Sequence, residues 1–169
     1  MIQQGTLASI ARALPRLMEL AHRAVENRSP PFSALLLDAH GEIQNEAISV
    51  QGKAGFDSFG HAETSALLDF ESHWSSSQRL RYWMVSTGEP CPFCASAISS
   101  YQLDGAAFLI TQEWISELRG YHRYGKGKSS ADVPDLIPSN TTVFSRLDTQ
   151  EAHEMQRELE ELFRRQLNR

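Results

Sequence analysis

Apolar positions recur every three or four residues across 6–27, at Leu7, Ile10, Ala11, Leu14, Leu17, Met18, Ala21 and Val25, the spacing of one buried stripe on an N-terminal helix. Pro15 cannot donate to an upstream carbonyl, so the pattern predicts either a kink there or a main helix that begins with Pro15 in its first turn; the second is favoured. After the turn-forming RSPP the apolar period changes. FSALLLDA, a His40-Gly41 turn and EIQNEAISV predict a two-stranded hairpin whose first strand is fully buried. Residues 51–60 hold three glycines and no regular period, which predicts a loop ending at His61. Helical spacing returns at Ala62, Ala66, Leu67, Phe70 and Trp74, so a second helix is expected to start at His61. RYWMVST is rich in strand formers, GEPCPFC follows as a loop, and ASAISSYQ reads as a short helix. AAFLIT predicts another buried strand and QEWISELRG a short helix closed by Gly120. A long loop over 120–139 comes next, then a possible last strand in NTTVFS. The C-terminal helix is expected to open on a capping box of Asp148 and Glu151, with Ala152, Met155, Leu159, Leu162, Phe163 and Gln166 facing inward.

Strands alternating with helices predict a layered α/β domain, its sheet covered by helices on both sides. A chain of 169 residues that is 41% hydrophobic fits one domain, 1–169, around one sizeable core. Its longest apolar runs are too short to span a bilayer, and its start lacks the basic, apolar and cleavage segments of a signal peptide. With only two cysteines, these features lead to a cytoplasmic expectation. A net charge of -5 counts against a broad phosphate-binding surface and favours small substrates.

Both cysteines lie in one short stretch, EPCPFC, at C-x-x-C spacing at an expected helix start. Alone, that spacing serves a zinc site or a redox pair. Cys91 and Cys94 cannot close a four-thiolate site within one subunit, so a metal there would be held openly, with His61 as third ligand and water in the fourth position. Glu63, two residues beyond His61, is placed to reach over that metal and shuttle protons. H-x-E followed by P-C-x-x-C is the signature of zinc deaminases acting on cytosine or adenine rings. It reads here His61-Ala62-Glu63 and Pro90-Cys91-Pro92-Phe93-Cys94. A thioredoxin-like reading leaves His61 and Glu63 without a role.

At these residues the chain resembles the cytidine and deoxycytidylate deaminase superfamily, and the likeness runs from about residue 14 to residue 110. PPFSALLLDAHGEI, GHAETSAL and STGEPCPFCASAI look most like the branch that holds guanine deaminase, bacterial tRNA adenosine deaminase and fungal-type cytosine deaminase. The resemblance implies a three-layer α/β/α sandwich around a five-stranded mixed sheet, one Zn2+ per subunit, a homodimer, and hydrolytic deamination of a nucleobase ring. By motif match it gives ligand roles to His61, Cys91 and Cys94 and the proton shuttle to Glu63. Phe32, Ser49, Ala62 and Pro90 are the candidate substrate contacts. Ser49 stands where purine-acting relatives usually carry asparagine, and DSFG replaces their usual segment before H-A-E. The leading expectation is therefore a deaminase of a small free base, guanine first. The alternatives are a tRNA adenosine deaminase using the basic, aromatic run from Arg119 to Lys128, a cytosine-type enzyme, and a non-catalytic zinc-binding subunit.

Overall fold

A computed structural model of the protein describes residues 2–51, 60–70, 81–120, 130 and 142–167. Helix α1 (Gln4–Glu26) is followed by strands β1 (Ser33–Leu37) and β2 (Ile43–Ile48), then α2 (Ala62–Phe70), β3 (Trp83–Gly88), α3 (Pro92–Ser100), β4 (Gly105–Ile110), α4 (Gln112–Arg119), β5 (Val143–Arg146) and α5 (Gln150–Leu167). The five strands form one sheet in the order β2-β1-β3-β4-β5. β1 runs antiparallel to both β2 and β3, whereas β3, β4 and β5 are mutually parallel. The expected α/β sandwich with a mixed sheet is the observed one.

Strand alternation divides β1 between two cores. Leu35 and Leu37 pack with Leu14, Leu17, Leu109, Leu159 and Phe163 on the side of α1 and α5. Ala34 and Leu36 pack with Ala62, Ala66, Leu67, Ile98 and Leu103 on the side of α2 and α3. All five residues of β1 are buried, as a strand covered on both faces must be.

Three local expectations are corrected. α1 runs unbroken through Pro15; one missing hydrogen bond is outweighed by the stripe Ile10, Leu14, Leu17 and Ala21, buried continuously across that point. Thr149, not Asp148, starts α5: its hydroxyl accepts from the Ala152 amide at 3.2 Å, while Asp148 pairs with His153 at 2.8 Å. Gln156 joins the buried face of α5, which the expected stripe omits, because its amide donates to the Leu147 carbonyl and accepts from Arg146, while Met155 packs against the core as expected. Gly120 ends α4 as expected, in the left-handed conformation at φ 74°. The 52–59 part of the expected glycine loop, the end of the second helix at Trp74, and the basic run beyond Gly120 lie outside the described residues.

Candidate active site

The carboxyl ends of β3 and β4 and the start of β1 meet at one edge of the sheet, and two helices begin there. Cys91 is the residue before α3; its extended backbone lets its sulfur accept from the Cys94 amide at 3.5 Å, and Pro92 supplies a preset first helical turn. His61 precedes α2 in the same way, its carbonyl accepting from the Ser65 amide at 3.0 Å and the Thr64 hydroxyl at 3.1 Å. The two helix starts converge. His61 Nδ1 lies 3.6 Å from Cys91 Sγ and 3.5 Å from Cys94 Sγ, and the sulfurs are 3.6 Å apart.

Those distances test the metal expectation directly. Around a tetrahedral zinc with sulfur ligands at about 2.3 Å and nitrogen at about 2.0–2.1 Å, ligand atoms stand about 3.5–3.8 Å from one another. The three observed edges fit, and both cysteines are free of disulfide bonding. This is the one cluster of metal-ligating groups among the described residues. His61 turns its other ring nitrogen to the Gln51 side-chain amide, 2.7 Å away. The atom set there is Gln51 Nε2; with Nδ1 aimed at the sulfurs, Nε2 of His61 carries the proton, and a half-turn of the amide, whose two ends have the same shape, brings the Gln51 oxygen round to accept it.

Glu63 sits in the first turn of α2 and is 7% exposed, with one carboxylate oxygen 3.8 Å from Cys94 Sγ. Burial pushes its carboxyl up to about 7, and negative charge on Cys91 adds to the shift. The thiols form a coupled pair. Cys91 is pulled down to about 4, chiefly by its hydrogen bond with Cys94, while Cys94 is pushed up.

A cavity opens beside this corner, with free space enough for at least one water. Its opposite wall is built from Phe32, Gln112, Ile115 and Arg119. Phe32 meets Phe163 of α5 edge-on at 5.0 Å, and Thr87 of β3 fixes the entry to β1 by accepting from the Ser33 amide and donating to the Pro31 carbonyl. Gly88 admits this wall: a Cβ there would meet Phe32 at 2.8 Å and Ile115 at 3.2 Å. Glu89 joins the two sides. Its carboxylate accepts from the Gln112 amide at 2.9 Å, at the start of α4, and from the Ser130 amide and hydroxyl at 2.8 and 2.9 Å.

The structure therefore brings together His61, Glu63, Cys91 and Cys94, with Ala62 and Phe32 on the cavity lining. Ser49 and Pro90 are not on that lining. The Ser49 hydroxyl is occupied, donating to the Gly60 carbonyl and accepting from the Gln51 amide; Gln51, two residues further on, is the side chain that reaches the site. Sequence reasoning also missed Glu89, although it stands inside the EPCPFC stretch, and Gln112 and Ile115, which no local pattern marks.

A model of the cytidine and deoxycytidylate deaminase zinc-binding region matches residues 9–110. The chain belongs to that family. Solved structures extend the likeness to the fold of nearly the whole chain. The guanine deaminase of Nitrosomonas europaea superposes with a TM-score of 0.72 at 14% identity, covering 91% of this chain and 84% of its own. NE0047 in complex with 8-azaguanine gives a TM-score of 0.73 at 15% identity, over 94% and 87% of the two chains. A tRNA:A34 deaminase gives 0.60 at 21% identity, over 85% and 98%. No curated protein matches the chain by sequence. The matched segment is the zinc-binding region of that family, and no helix among the described residues is long and apolar enough to cross a membrane.

Proposed function

We propose that this protein is a zinc-dependent hydrolase that deaminates a small aminated nucleobase or related heterocycle, guanine first among them. The observation that carries the reading is Glu63: a buried carboxyl, held near neutrality, 3.8 Å from a sulfur of a three-ligand metal corner and facing a cavity. In this reading His61, Cys91 and Cys94 hold the ion, and zinc, when bound, lowers the pKa of a water toward neutrality. Glu63 would accept a proton from the attacking water, give it to the ring nitrogen beside the amidine carbon, and carry the second proton to the departing amine. One water enters, one ammonia leaves, and the carboxylate returns to its starting state.

The wall of Phe32, Ile115 and Arg119 bounds a space suited to a flat ring. The guanine deaminase and 8-azaguanine-bound neighbours support a purine base, at the level of fold. A tRNA substrate is the second reading, supported by the A34 deaminase neighbour; the net charge of -5 counts against it. A homodimer in the cytoplasm completes the proposal.

The test is ammonia release by zinc-loaded protein from guanine, adenine, cytosine, their nucleosides, aminated pterins and triazines, and an anticodon stem-loop, with Glu63→Ala as blank. Release from a free ring, guanine above all, is expected. Release from the stem-loop alone would replace the proposal with RNA editing.

A further inference from the structure

Arg119 ends α4 with its guanidinium carbon 5.5 Å from the centroid of the Phe32 ring, on the lining of the cavity that holds His61, Glu63 and Cys91. It makes no ion pair with any described residue. Two carboxylates face the same cavity, yet neither claims it: Glu63 leans on Cys94, and both oxygens of Glu89 are occupied by donors from Gln112 and Ser130. A cation suits the last turn of a helix, but a side chain directed into solvent would satisfy the dipole equally well. Arg119 instead offers five N–H donors and no acceptor toward the space a substrate must fill, held there by stacking on Phe32. Arg119 forms part of the wall that an entering ring would meet. Arg119 is the member of that wall least tied down.

We propose that Arg119 is the specificity-determining residue of the site, selecting aminated rings whose edge opposite the amidine carbon carries two adjacent acceptors, an oxo group beside an unprotonated ring nitrogen. This assignment rests on the deaminase reading and names its substrate class. A guanidinium meets such a pair with two parallel hydrogen bonds, as arginine does with O6 and N7 of guanine. Guanine held with its C2 amine at the metal corner turns that edge away from the metal. Adenine held by its C6 amine offers no oxo group there.

The experiment compares guanine with 2-aminopurine, the same ring and amine without the oxygen, in zinc-loaded wild type, Arg119→Met and Arg119→Lys. Met keeps an apolar stem on Phe32 and removes every donor; Lys keeps the charge and loses the fork. Both kcat/KM and the dissociation constants of the two rings, the latter in a Glu63→Gln background, are measured. Arg119→Met is expected to lower kcat/KM and affinity for guanine about tenfold to a hundredfold and those for 2-aminopurine, which keeps the ring-nitrogen acceptor but not the oxygen, by a clearly smaller factor, with Arg119→Lys between. Equal losses on both rings, or none on either, would overturn the assignment. So would activity confined to rings bearing a carboxylate. Arg119-dependent guanine binding without ammonia release would sink the deaminase reading alone, whereas ammonia release with an unaltered ratio would sink the Arg119 assignment alone. Failure of both rings to bind would remove both.

Discussion

The two sides of the cavity are built by different rules. The metal side draws its four reacting groups from two short segments, His61 with Glu63 and Cys91 with Cys94, each at a helix start where backbone geometry fixes the side chains. The far side gathers Phe32, Ile115 and Arg119 from separate elements and ties them in through Gly88, Glu89, Phe163 and Ser130. Local geometry suffices to converge three metal-ligating atoms and a buried carboxyl. Recognition of one ring among many needs a wall, and a wall is assembled from whatever the fold brings near.

If the division is real, damage to the metal side abolishes chemistry, and damage to the wall alters affinity or stability while leaving zinc in place. The largest effect is expected from Cys91→Ser: zinc content by atomic absorption drops to background and all turnover with it, since a ligand and its contribution to folding are lost together. Zinc retained at one per chain would remove Cys91 from the ligand set. Glu63→Gln comes next, keeping zinc and the fold but lowering kcat by about 100- to 10,000-fold; near-normal turnover would end the shuttle role. On the other side, Phe163→Ala removes the edge-on support of Phe32 and is expected to cost about 3–5 kcal/mol in denaturant unfolding without changing zinc stoichiometry. Coupled zinc loss would show that the two sides are one unit. Gln51→Leu leaves His61 Nε2–H without an acceptor, and zinc affinity measured by chelator competition should fall about 10- to 100-fold.

The smallest effect concerns metal-free protein. The Glu63 carboxyl titrates near 7 when folded and near its ordinary value of 4.5 when unfolded, so between those pH values the folded state holds the extra proton. Its contribution to stability is intact below about pH 4.5 and declines as pH rises toward 7, by about 1 kcal/mol per pH unit. Glu63→Gln should flatten that decline in urea titrations of chelator-treated protein. Parallel curves for wild type and variant would show that Glu63 is not the group responsible.

The contrast also explains what could be read from the sequence. Periodicity located every described element because each strand and helix buries a regular face, and α1 crossed Pro15 only because packing outweighed a single lost bond. His61, Glu63, Cys91 and Cys94 were legible because ligand spacing and helix starts are local properties of the chain. Ser49 stands two positions short of the lining: beyond the pairing of β2, no local rule says which residue of an irregular turn reaches His61 and the cavity, and Gln51 does. Glu89 reads in sequence as a solvated acid before a proline. Only the arrival of the Gln112 and Ser130 amides, 23 and 41 residues away, makes it a buried junction.

That junction sets an order of events in time. Contacts between β1, β2 and α2 close over short stretches of chain, whereas the Glu89–Ser130 bonds require a 41-residue loop to close for a handful of hydrogen bonds. The β1–β2 hairpin is thus expected to form before the Glu89–Ser130 junction. In the native protein the Ser130 amide should exchange with deuterium before those of β1 and β3.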